Sequence, residues 1–153
     1  MKFYSLLSIF FCAHFVLFSQ SFNSVQTKFT ATLDFETNTS EIYEQNGLRI
    51  IAQLEKCNNP SIGMEKDYVY FSFQNTNPFD IKFSLEEHLY YDESCKTCGN
   101  KEYFKAYYLK ANETLTASCE QSSNKSLKIF HGSPWVNEKL SKFELVNIKI
   151  EKQ

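Results

Sequence analysis

Alternation of apolar and polar positions is the strongest signal in the chain. Between Asp67 and Tyr91, Val69, Phe71 and Phe73 alternate with polar or tyrosyl neighbours. Asn75 to Pro78 then break the pattern, and Phe79, Ile81, Phe83 and Leu85 alternate again. This period of two predicts two half-buried strands joined by a turn, a hairpin. Upstream, Val25, Thr27, Phe29, Ala31, Leu33 and Phe35 fall on one parity and predict a first strand. A short helix over Ser40 to Gln45 fits the polar stretch that follows, and Asn46-Gly47 supplies the positive-φ pair of a tight turn. Leu48, Ile50, Ala52 and Leu54 then mark a second strand, closed by Cys57.

After the hairpin, Asp92 to Asn100 is a polar connection. Tyr103 to Leu109 predicts a fifth strand of ambiguous parity, since Phe104, Ala106 and Tyr108 compete with Tyr103, Tyr107 and Leu109 for the core. Leu115, Ala117 and Cys119 suggest a sixth, Leu127, Ile129 and His131 a seventh. The last carries Leu140, Phe143, Leu145, Ile148 and Ile150, with a parity slip near Val146 that implies a bulge. The sum is an all-β, antiparallel sandwich of about seven to eight strands. The run Y-V-Y-F-S-F-Q-N-T-N-P-F-D-I-K-F, followed later by Y-L-K-A-N-E-T-L, resembles immunoglobulin-like sandwiches of small secreted bacterial proteins over about Leu48 to Leu115. The chain departs from antibody-type domains in two ways: Trp135 lies between late strands, and the cysteine spacing differs.

The N-terminus changes this picture. Lys2 precedes an apolar run from Phe3 to Phe18 without an acidic residue, and Ser19 and Ser21 stand before a cut ahead of Phe22; a cut before Gln20 is the alternative. Residues 1–21 therefore read as a signal peptide and residues 22–153 as one domain, secreted or periplasmic, with no transmembrane segment in the mature chain. Removing Lys2 leaves 15 basic against 18 acidic residues, a net charge of about −3. That mild negative charge argues against nucleic acid as a partner and for a monomer that stays in solution.

Four cysteines remain, Cys57, Cys95, Cys98 and Cys119. On an antiparallel path every second strand ends at the same pole, so the four should gather at one end of the sandwich. An even count in an exported chain reads as two disulfides. Four cysteines allow three pairings. Bonds from Cys57 and Cys119 to one member each of C-K-T-C are favoured by loop length, since a bridge closing a loop of about 20 residues restrains the unfolded chain by about 3 kcal/mol and a three-residue loop far less. The rival is Cys95 with Cys98 and Cys57 with Cys119. A tetrathiolate zinc site has the right ligand softness but not a zinc-ribbon spacing. A thioredoxin-like site lacks the helix that should follow C-K-T-C.

No other catalytic, cofactor or metal constellation is legible. His88 reads as a solvated strand residue opposite Phe83 and Leu85, and His131 as part of a turn before Gly132. Glu86, Glu87, Asp92 and Glu93 read as a charged rim. Tyr68 and Tyr70, opposite in parity to Val69 and Phe71, form a candidate contact surface with Tyr107, flanked by Tyr90 and Tyr103. Asn38, Asn112 and Asn124 stand in N-x-S/T sequons, which matter only in a eukaryotic source. The expected role is a non-enzymatic binding or structural accessory of the cell envelope, its partner a protein or glycan. Alternatives are thiol-disulfide or zinc-thiolate chemistry at C-K-T-C and a proteinase inhibitor-like sandwich.

Overall fold

The computed structural model describes residues 29–31, 39–59, 61, 63–119 and 124–153. The residues read as a signal peptide, most of the first predicted strand and Asn38 of its sequon lie outside these residues. Ten strands follow in chain order: β1 (Phe29–Ala31), β2 (Thr39–Gln45), β3 (Leu48–Asn59), β4 (Met64–Asn75), β5 (Ile81–Tyr91), β6 (Ser94–Cys95), β7 (Phe104–Leu109), β8 (Thr114–Thr116), β9 (Lys128–Gly132) and β10 (Leu140–Lys152). They form two five-stranded antiparallel sheets, an all-β sandwich. The count exceeds the expected seven to eight because β2 was read as a helix and the two-residue β6 is too short to show a period.

One sheet runs β2-β3-β4, and the far side of β4 is shared end to end by β9 and β8. The other runs β1-β10-β5, and the far side of β5 is shared by β6 and β7. The two long strands β4 and β5 therefore lie in different sheets, which corrects the hairpin expected between Val69 and Leu85. Alternation reports which face of a strand is buried, not which strand it pairs with. The residues between β4 and β5 include Pro78 and exceed a two-residue hairpin loop, so they carry the chain across the end of the core instead. The hairpins that do form are β2-β3, β3-β4 and the short β5-β6, whose turn is Asp92-Glu93.

The β2-β3 turn is the expected one, with Asn46 at φ 51° and Gly47 at φ 74°. The helix expected over Ser40 to Gln45 is strand β2. A register shift between Glu41 and Tyr43 turns both Ile42 and Tyr43 inward, and two consecutive buried residues conceal the period. The bulge expected in β10 is present between Val146 and Lys149, with Asn147 at φ 54°.

The core fills the space between the sheets. Leu48, Ile50, Ala52 and Leu54 of β3 line up with Val69, Phe71 and Phe73 of β4, and face Ile81, Phe83 and Leu85 of β5 and Phe143 and Leu145 of β10. Aromatic rings bind the layers: Phe71 meets Phe143 at 5.5 Å between ring centres, Phe73 meets Phe83 at 5.1 Å, and Tyr107 meets Phe73 at 4.8 Å. Edge-on ring pairs of this kind add about 1 kcal/mol each beyond their buried area. The ambiguous parity of β7 thus resolves with Tyr107 and Leu109 inside and Phe104 and Tyr108 outside.

Candidate functional site

The β3-β4 turn, the connection from β5 to β7 and the loop from β9 to β10 all emerge at one end of the sandwich, because Cys57 is opposite Lys66, Tyr91 opposite Leu140 and Asp67 opposite Gly132. Tyr91 clamps the two sheets there by donating its Oη proton to the Phe130 carbonyl at 2.6 Å. All four cysteines gather at this disulfide pole, as the antiparallel path requires. The extra strand β6 does not upset the argument, since β6 and β7 both run antiparallel to β5.

The pairing is the rival one. Cys57 bonds Cys119 across a sequence separation of 62, with Cα atoms 5.5 Å apart, and Cys95 bonds Cys98 with Cα atoms 5.8 Å apart. The inter-loop pairing favoured by loop length fails on faces. Cys57 lies on the outer face of β3, beneath the segment that carries Cys119, whereas Cys95 is held in β6 at the edge of the other sheet. No group of three or more metal-ligating side chains occurs among the described residues.

Cys119 folds its segment over the outer face of the first sheet, and this governs the tyrosines. Tyr70, opposite Gln53, points outward yet is only 3 % exposed, its hydroxyl against the sulfurs of Cys57 and, at 3.4 Å, Cys119. Burial, with the nearby negative charge of Glu55, pushes its pKa up to about 12. Tyr68 is half-buried, with Phe130 edge-on at 5.8 Å and Lys128 Nζ 5.0 Å above its ring. Tyr107 is in the core, its Oη donating to the Ser126 carbonyl at 2.8 Å. The expected surface of Tyr68, Tyr70 and Tyr107 is therefore not one surface: Tyr107 faces the core and Tyr70 is covered.

The expected charged rim also divides. Asp92 and Glu93 are exposed and Glu86 is half-buried, but Glu87 shares the inward parity of Leu85 and Leu89 and is 6 % exposed. Burial pushes its carboxyl up to about 7, with Lys105 opposing the shift. On the outer face of the second sheet, Glu144 is buried and accepts from Lys142 Nζ at 2.8 Å and Tyr90 Oη at 2.8 Å. His88 stands beside it, its Nδ1 4.0 Å from Glu144 and its Nε2 3.5 Å from Glu86. His131, read both as the end of the seventh strand and as part of a turn, is a buried member of β9.

Among polar exposed residues such as Asp92, Glu93 and Lys96, the pole also presents apolar surface to solvent. Trp135, the only tryptophan, is 81 % exposed and Val136 is 40 % exposed, both on the loop between β9 and β10. The loop is anchored at each end: Gly132 and Ser133 are buried before it and Leu140 after it. Ser133 accepts the Trp135 amide on Oγ and the Val136 amide on its carbonyl, each at 3.3 Å. The H-G-S-P-W run was legible as a break between strands, but not as an exposed tip, because period alone does not separate a buried tryptophan from a presented one. No helix among the described residues is long and apolar enough to cross a membrane. Comparison of the chain with protein-family models, curated proteins and solved structures finds no match.

Proposed function

We propose that this chain is an exported, non-enzymatic β-sandwich module of the cell envelope that binds a protein or glycan partner through the loops of its disulfide pole, with Trp135 as the anchor. The observation that carries this reading is a tryptophan almost wholly in solvent on a loop whose two ends are fixed. Large aromatic residues dominate binding energy where they can be desolvated by a partner, and a held loop loses little conformational entropy in doing so. The two disulfides support the oxidising compartment that an exported module meets.

A photo-crosslinking residue placed at the exposed Val136, beside an intact Trp135, should capture a discrete envelope component of the source cells, and an excess of the unmodified protein should compete it away. The same group placed at Asn112, at the opposite end, should capture nothing. Equal capture at both positions, or capture at 136 that Trp135→Ala protein competes as well as the parent does, overturns the reading.

A further inference from the structure

The two disulfides differ in what depends on them. Cys57 is 3 % exposed and its bond ties β3 to the segment after β8. Cys98 is exposed, Cys95 is half-buried, and their bond spans a sequence separation of 3. A loop that short restrains the unfolded chain little. The folded loop is also held without the bond. Buried Thr97 accepts the Leu89 amide on Oγ1 at 2.8 Å and donates to the Glu87 carbonyl at 2.7 Å. The Lys96 amide donates to the Leu89 carbonyl at 2.8 Å, and the Asn100 amide to Thr97 at 3.0 Å. One further donor bears on the sulfur itself: the Cys98 amide points at Cys95 Sγ, 3.1 Å away.

We infer that Cys95–Cys98 is a thiol-exchange site, a disulfide that accepts two electrons reversibly from a thiol partner while the fold stays intact. A partner thiolate attacks the exposed Cys98 Sγ, and the bond between the two cysteines breaks. The electron pair leaves on Cys95 Sγ, where the Cys98 amide stabilises the thiolate. A second partner thiol attacks the partner sulfur of the mixed disulfide and releases Cys98. Two thiols become one disulfide, and their two protons end on Cys95 and Cys98. Only a three-residue 3-10 turn, Lys101–Tyr103, follows the motif, so a single amide does what a helix dipole would do elsewhere. The site therefore responds to its redox surroundings slowly rather than turning over as a fast oxidoreductase.

The native full chain is incubated with glutathione buffers of graded reduced-to-oxidised ratio, quenched in acid, alkylated and mapped by peptide mass. Cys95 and Cys98 should open about 100-fold faster than Cys57 and Cys119, with near-ultraviolet circular dichroism unchanged. Folded Cys95→Ser protein, treated with oxidised glutathione, should carry one glutathione on Cys98. If Cys95 and Cys98 become alkylatable only together with Cys57 and Cys119, the inference fails. It fails equally if the folded variant takes up no glutathione. Neither outcome depends on Trp135, so this inference and the binding reading stand or fall separately.

Discussion

The two ends of this sandwich solve the same problem by different chemistry. Away from the disulfides, the β2-β3 turn, the β4-β5 connection and the β7-β8 turn meet around Asn75, which is fully buried. Its Nδ2 donates to the carbonyls of Phe79 at 2.8 Å and Lys110 at 2.9 Å, and its Oδ1 accepts from the amide and side chain of Asn77 at 3.0 Å. Asn77 in turn donates to Asn46, the Thr76 amide to Gly47, and Asp80 accepts from Ala111 and from the Tyr108 hydroxyl. Polar groups there are spent on one another. The disulfide pole instead adds two covalent bonds to its loop contacts, and the neighbouring β9-β10 loop, held on Ser133, leaves Trp135 and Val136 in solvent. A network that satisfies every buried donor fixes geometry but has no capacity left for a partner. A cross-linked end can keep its loops in place and still present unsatisfied apolar surface.

The sharpest test of this contrast is to remove the bonds that hold the disulfide pole. Replacing Cys57 and Cys119 by Ser should cost about 4 kcal/mol, the chain-entropy value for a loop of 62 residues, read as a lower urea midpoint. The same replacement of Cys95 and Cys98 should cost no more than about 2 kcal/mol. Equal losses would erase the distinction between the two bonds. At the other end, Asn75→Ala leaves two carbonyls and an amide without their partner and should cost about 3 kcal/mol, measured in the same way.

Glu87 sharpens the comparison through pH. Its carboxyl is raised from 4.5 to about 7 in the fold by burial, so the native state holds its proton more tightly than the unfolded chain. Its contribution is complete below about 4.5 and is lost as pH rises through about 7, so stability falls across that window. Glu87→Gln should abolish that slope and raise stability above pH 7 by about 2 kcal/mol, seen as a higher melting temperature at pH 8 but not at pH 4. The smallest effect belongs to the presented residue. Trp135→Ala should change the urea midpoint by no more than about 0.5 kcal/mol in stability while removing the capture described above.

How far the sequence carries a reader follows from the same physics. Strict alternation in β3, β4 and β5 exposed their buried faces, and Asn46-Gly47 its turn, since both signals are local. Pairing is not local: nothing in Val69 to Leu85 says that Asn75 will turn its amide inward and send the chain to the second sheet. Tyr70 kept an outward parity and was buried all the same, because the cover comes with Cys119, 49 residues further along. The even-strand argument placed the cysteines at one pole because it uses direction alone. Loop-length entropy chose the wrong partners because it ignores which face each sulfur occupies. Glu87 was legible in principle, since it repeats the parity of Phe83, Leu85 and Leu89, but a charge beside Glu86 was read as rim.

The tandem short strands that flank β4 and β5 have a consequence for how molecules of this protein meet one another. An exposed sheet border recruits a neighbouring chain in proportion to the unbroken length of ladder it offers. Here β9 and β8 divide one border and β6 and β7 the other, so no uninterrupted stretch on those sides exceeds the six residues of β7. Each break is also a place where the backbone leaves the ladder, which spoils the template for a docking strand. A concentrated preparation is thereby shielded from sideways sheet growth along both of those borders.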